Sequence, residues 1–221
     1  PLDLINIEQN LEVIVNAEEY FRKRELEPGG SQVSWNTRDQ HMALTVTRLL
    51  ERLQTLMSEP DAAAKVVVWA HNSHIGNAVA TERGGTEFNR NETWNLGQMI
   101  RGGELTKRSF LLGFDTYGGQ VTARVRNELS DDLKVYDLNP AIENSSEYWC
   151  HKVCQHFQCE AFLLHLANLT DDGGPTHEIL YNRIQQRYIG VNYCPNTEIR
   201  SHYSLASLVG QYDALCFIDT T

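Results

Sequence analysis

No stretch of about 18 consecutive apolar residues occurs in this chain, so no segment of it reads as a transmembrane helix. The opening residues lack a charged n-region followed by an apolar run, so no signal peptide is expected. Basic residues are few: 19 Lys and Arg stand against 29 Asp and Glu, a formal net charge of −10. That balance argues against a nucleic-acid partner, which needs clustered Lys and Arg. The five cysteines, at 150, 154, 159, 194 and 216, are odd in number and follow no disulfide framework. A reducing, cytoplasmic setting is the expectation. There is no Gly-x-Ser-x-Gly elbow, no P-loop, no internal repeat and no low-complexity tract. A serine-elbow hydrolase and a nucleoside-triphosphatase are thereby disfavoured.

The 221 residues are 41% hydrophobic, enough to build a core. Residues 3–24 place Leu4, Ile7, Leu11, Ile14, Val15 and Tyr20 near a 3.6-residue period, which predicts an amphipathic helix ended by Pro28-Gly29-Gly30-Ser31. A second helix is expected over about Thr37–Ser58, with Asn36 as N-cap and an apolar face from Met42 to Met57. Val66–Ala70 reads as a strand covered on both faces. A helix near Asn95–Arg101 follows. Strands are expected at Phe110–Phe114, Gln120–Val125, Ala161–Leu166, Tyr188–Val191 and Ala214–Ile218. Further helices are expected at about Pro140–Phe157 and Glu178–Gln186. The alternation implies a layered α/β fold, with a mostly parallel sheet flanked by helices.

The chemistry concentrates just after Val66–Ala70. His71 and His74, with Asn72, Ser73 and Asn77 around them, sit where open α/β sheets bind ligands, beyond a strand's carboxyl end. Two imidazoles three residues apart can take or give a proton or bind a metal. A pair of solvated or hydrogen-bonded loop histidines is the plain alternative. Asn36, Arg38, Asp39 and His41 lie at the expected start of the second helix, where an anion would be favoured. A capping Asp39 and a surface-paired Arg38 explain the same residues without a ligand. The Gly- and Asn-containing stretch from 76 to 94 is long for a connection, as binding loops often are. The Cys150–Cys159 segment, with His151 and His156, superficially suggests zinc. It reads better as one amphipathic helix contributing cysteines to a core. His202 could reach a pocket, or Ser201 could simply cap a helix start.

Val67-Val68-Trp69-Ala70-His71-Asn72-Ser73-His74-Ile75-Gly76 resembles the second histidine motif of the erythromycin esterase family. Trp35-Asn36-x-Arg38-Asp39-x-His41-Met42-Ala43 resembles the segment upstream of it, and Asn95-Leu96-Gly97-Gln98 the one that follows. Gly113-Phe114-x-Thr116-Tyr117-x-Gly119, Ser201-His202-Tyr203 and Gln211-Tyr212-Asp213-Ala214 continue the likeness in order.

The resemblance implies an α/β fold and hydrolysis of a carboxylic ester, a macrolactone antibiotic being the family's named substrate. It implies that His71 and His74 line the cleft and handle protons. Asn36, Arg38, Asp39, His41, Asn72, Tyr117 and His202 become candidate substrate contacts, Arg38 for a carboxylate or oxyanion. Neither a cofactor nor a metal is expected in this mechanism, and no membrane partner. The family's first motif, a Glu and a His near Gly-Glu, has no counterpart, because Gly103-Glu104 is not closely followed by His. Residues 1–221 are therefore expected to be the C-terminal portion of the family domain, associating with a further N-terminal portion or with itself. Two other readings stay open: a metal-dependent hydrolase using His71 and His74, and a catalytically incomplete binding partner.

Overall fold

The computed structural model describes residues 2–27, 29–57, 63–82, 92–103, 109–125, 133–167, 169–170 and 173–221. Two compact units form, residues Pro1–Ala70 with Arg83–Ser109, and residues His71–Glu82 with Phe110–Thr221.

The first unit is helical. α1 (Leu2–Leu26) packs against α2 (Gly30–Leu56), which in turn meets α4 (Leu96–Gly102). The turn between α1 and α2 depends on glycine. Gly29 has φ 70°, and a Cβ on Gly30 would lie 2.5 Å from the Lys23 and Arg24 carbonyl oxygens. This tight reversal starts α2 six residues before Asn36, so Asn36 is not its N-cap but a buried residue within the helix. The apolar face expected for α1 is not turned inward: Ile7, Leu11, Ile14 and Val15 are all more than half exposed. α4 forms as its sequence predicts, with Asn95 accepting from the backbone N–H of Gln98 at 2.9 Å.

Val66–Ala70 joins no sheet among the described residues. The β-branched run extends the backbone, yet Val67 and Trp69 are 92% and 86% exposed, so it is not the doubly covered strand expected. β propensity favours extension, but only a paired neighbour makes a strand.

The second unit carries the sheets. β1 (Leu112–Gly118), β8 (Ala214–Thr220) and β4 (Ala161–His165) form the first in the order β1-β8-β4. β8 runs parallel to β1, pairing Leu112 with Ala214, and antiparallel to β4. β3 (Leu133–Asp137), β2 (Gln120–Val125) and β6 (Asn192–Tyr193) form the second. β5 (Ile184–Arg187) pairs antiparallel with β7 (Tyr203–Ala206). The fold is thus mixed α/β, with small mixed sheets. Among the described pairings only β1–β8 and β2–β6 are parallel, which corrects the expectation of a mostly parallel sheet.

β8 is central because its residues are apolar enough to be covered: Ala214, Leu215 and Phe217 are fully buried. Around them gather Cys150 and Cys154 of α5 (Ser146–Phe157), Leu166, Leu208 and Tyr212. α5 starts at Ser145, whose hydroxyl accepts from the Tyr148 N–H at 3.2 Å. The helix expected over Glu178–Gln186 is shorter. α6 (Pro175–Leu180) ends before Ile184, and pairing with β7 makes the following residues a strand. α7 (Glu198–Ser201) ends at Ser201 instead of beginning there, so Ser201 caps no helix start. α8 (Leu208–Gln211) precedes β8. No described helix is long and apolar enough to cross a membrane.

Candidate functional site

In the second unit the histidine motif folds as a single helical turn, α3 (Asn72–Ile75), with His71 as its N-cap. The His71 ring replaces the usual Ser or Asp oxygen, and Nδ1 accepts the Ser73 backbone N–H at 3.2 Å. Nδ1 is also 2.9 Å from the Ser73 hydroxyl. Nε2 lies 2.9 Å from the carbonyl oxygen of Ile189. A carbonyl can only accept, so the proton belongs on Nε2 and the ring is the neutral Nε2–H tautomer. Burial lowers the His71 pKa below its usual 6.5; the Ile189 carbonyl opposes this and the charge of nearby His74 adds to it. His74 stands one turn on, half-buried, in the last turn of α3.

Asn72 anchors the turn. Its amide nitrogen donates to the Phe114 carbonyl at 2.7 Å and to Asp115 Oδ1 at 3.2 Å, while its oxygen accepts the Phe114 N–H at 3.1 Å. β1 is thus stitched to α3 through one side chain. Just behind, the Tyr212 ring fills the gap between Gly76 and Gly113, where an added Cβ would come within 2.9 and 3.0 Å of it.

Behind Asn72 lies a buried polar network. Gln186 Nε2 donates to Asp115 Oδ2 at 2.9 Å, and Gln211 donates to the Gln186 oxygen at 2.6 Å. The Tyr188 hydroxyl sits 2.6 and 2.8 Å from the side-chain oxygens of Gln186 and Gln211. Burial pushes the Asp115 pKa well up, and the neighbouring Glu147 carboxyl pushes it further. Glu147 is also raised, chiefly by burial, against the opposing backbone N–H of Arg187 that donates to Oε1 at 2.6 Å. Arg187 is buried with Glu198 as an ion pair of 2.9 Å. Its remaining donors meet the carbonyls of Asn139, Thr116 and Tyr117 at 2.7 to 2.9 Å. Glu198 Oε2 accepts from the Tyr193 hydroxyl at 2.9 Å; burial first, then that carboxylate, push Tyr193 up to about 12.

His202 and His71 converge on successive peptide units. His202 Nδ1 is 3.2 Å from the Tyr188 carbonyl oxygen and Nε2 accepts the Cys194 N–H at 3.3 Å, while His71 holds the Ile189 carbonyl. The Tyr117 ring does not face this cluster's histidines. It stacks on His151, centroids 3.7 Å apart, whose Nδ1 is 2.6 Å from Asp219 Oδ1.

The other expected residues belong to the first unit. Asn36 donates to the Glu92 carbonyl at 2.8 Å and accepts the Trp94 N–H at 3.1 Å. Asp39 Oδ2 accepts the Leu96 N–H at 3.0 Å, at the start of α4. Arg38 is exposed and lies over the Trp35 ring at 4.9 Å. His41 is half-buried, its carbonyl accepting the Thr45 hydroxyl at 2.9 Å. Asn36 and Asp39 thus brace the 92–96 segment. Residues 83–91 of the loop from 76 to 94 lie outside the described residues, as does Glu104.

A family model described as erythromycin esterase matches residues 2–221. The chain belongs to the erythromycin esterase family. Three solved structures share the fold of this family member. A protein from Bacillus cereus is 19% identical with a TM-score of 0.66, over 91% of this chain and 42% of that one. A succinoglycan biosynthesis protein is 20% identical with a TM-score of 0.62, over 85% of this chain and 39% of that one. A mutant of the erythromycin esterase EreC in its open conformation is 16% identical with a TM-score of 0.56, over 97% and 43%. The chain spans about two fifths of the length of these structures.

Sequence reasoning missed Asp115, Glu147, Gln186, Arg187 and Glu198. The polar triplet Gln185-Gln186-Arg187 carried no local signal of burial, and only the pairing of β5 with β7 takes Gln186 and Arg187 inside.

Proposed function

We propose that this chain carries the histidine pair of a carboxylic ester hydrolase, with unequal roles for the two rings. His74 takes a proton from the attacking water and returns it to the departing alcohol. His71 holds the α3 turn and presents His74. The supporting observation is that both His71 nitrogens are engaged, Nδ1 by Ser73 and Nε2 by Ile189. Accepting a proton at Nδ1 would break the cap. Family membership supports this reaction class. The ester substrate, of which a macrolactone is one candidate, is part of the proposal. So is the reading of Arg38 as a carboxylate or oxyanion contact, which rests on its family segment alone. Association with further polypeptide of the family domain, or with a second copy, is proposed as the state in which activity is assayed.

The experiment is hydrolysis of p-nitrophenyl acetate and of a macrolide lactone, by the chain alone and by the longest natural polypeptide containing it. His74→Asn is expected to lower kcat by about 10²–10⁴-fold. His71→Asn, which keeps a capping oxygen, is expected to cost far less. Equal losses in the two variants would overturn the unequal roles, and unchanged activity in His74→Asn would overturn the assignment.

The metal-dependent reading fits the donors less well, because His71 would have to surrender one of its two bonds to ligate. Among the described residues no group of three or more His, Cys, Asp or Glu could hold a metal ion. Activity that disappears with chelator and returns with added metal would restore it.

A further inference from the structure

α5 ends with Gln158 in the left-handed conformation, φ 53° and ψ 45°. Such a residue folds the chain back over the last helical turn. It brings the residue after it against the one four positions before it, usually as an apolar contact. Here those two residues are both cysteines. The Cys159 N–H donates to the Cys154 carbonyl at 3.1 Å, and the two Sγ atoms lie 3.8 Å apart. Cys154 is 3% exposed, within the core of Cys150, Leu166, Leu208, Tyr212, Leu215 and Phe217. Cys159 is half-buried at the rim of that core, one residue before the chain enters β4 through Glu160.

We propose that Cys154 and Cys159 form a reversible dithiol–disulfide pair, oxidised by a low-molecular-weight disulfide such as oxidised glutathione. The helix end holds the two residues together, and the sulfurs must close from 3.8 Å to a bond of about 2.0 Å. Cys159 is the entry thiol because it is the one reached from solvent. Its thiolate attacks the glutathione disulfide, forms a mixed disulfide and releases one glutathione thiolate. Cys154 then loses its proton to solvent and attacks Cys159 Sγ, releasing the second. The protein dithiol is oxidised, and one glutathione disulfide becomes two glutathione thiols. Burial, with the Cys159 contact, pushes the Cys154 thiol up to about 12, which makes the second step the slow one. The product ties the end of α5 to the start of β4 and leaves the other three cysteines as thiols.

The full folded chain is incubated with oxidised and reduced glutathione at graded ratios. It is then alkylated and read by intact mass and peptide mapping. The expected result is the loss of two alkylatable thiols and a peptide cross-linked between Cys154 and Cys159, both reversed by reduced glutathione. Cys154→Ser is expected to retain a glutathione adduct at Cys159. Cys159→Ser, changed at the core rim and checked by circular dichroism, is expected to show none at Cys154. Recovery of both residues as free thiols, alkylated after an acid quench and denaturation, at ratios that oxidise a reference dithiol, would overturn the proposal. Cross-links of either residue to Cys150, Cys194 or Cys216 instead would also overturn it.

Discussion

His71 Nε2 donates to the carbonyl of Ile189 at 2.9 Å, from 118 residues away in sequence. With Nδ1 capping α3, that contact fixes the imidazole as the neutral Nε2–H tautomer. His202 grips the preceding carbonyl, that of Tyr188, at 3.2 Å. The segment after β5 is therefore held by two histidines on adjacent peptide units, and each ring is oriented by what it holds.

The cap can be separated from the ring. His71→Ala is expected to destabilise the second unit by roughly 1–2 kcal/mol, through loss of the cap and of the Ile189 contact. His71→Asn is expected to recover the capping share. Urea unfolding midpoints of the three proteins give the comparison; identical midpoints for Ala and Asn would mean the cap contributes nothing.

The same ring makes stability fall in mild acid. Its folded pKa lies below the ordinary 6.5, so the unfolded chain binds the proton first. Its contribution is fully present above that ordinary value and is lost as pH falls from it towards the folded pKa. Stability of the wild type measured against pH is expected to drop across this window more than that of His71→Asn. Parallel curves would contradict the buried neutral histidine.

The buried acids act in the opposite direction. Asp115 and Glu147 both have raised folded pKa values, chiefly from burial. Their neutral forms favour the fold below the ordinary carboxylate range, and that stability is lost as pH rises through the folded values. Glu147→Gln keeps an oxygen for the Arg187 N–H, and is expected to flatten the decline of stability with rising pH. Asp115→Asn is expected to cost about 1–3 kcal/mol, because its new amide donors face those of Asn72 or Gln186. Chemical denaturation at a series of pH values measures both.

Arg187 and Glu198 form a buried pair whose removal is asymmetric. Arg187→Met leaves the Glu198 carboxylate buried without its cation, and is expected to cost about 3–5 kcal/mol. Combining it with Glu198→Gln is expected to return part of that loss. A double variant as unstable as the sum of the singles would show that the pair is not coupled.

Much of the local structure was legible from residues alone. The helix expected near Asn95–Arg101 forms as α4, the alternation in Gln120–Val125 gives β2, and the strand expected at Ala214–Ile218 forms as β8. These features depend on neighbours within a turn or on a period of two. The order of the motifs pointed to the family, which a match over residues 2–221 established. Where a local pattern admitted two outcomes, the reading failed. Val66–Ala70 extends but pairs with nothing described, and Ile184–Arg187 leaves a helical pattern to pair with β7.

Residue types placed both histidines, Asn72 and His202 among the candidates, but could not assign their tasks. Tertiary structure decided that His71 is a locked cap, that Asn36 and Asp39 brace the start of α4, and that Tyr117 stacks on His151. It also brought Asp115, Glu147, Arg187 and Glu198 into one buried network. The physical reason is range. A cap or an alternating face is specified by residues a few positions apart. The partner that satisfies a buried polar group can lie 40 positions away, as between Glu147 and Arg187, and no local pattern names it.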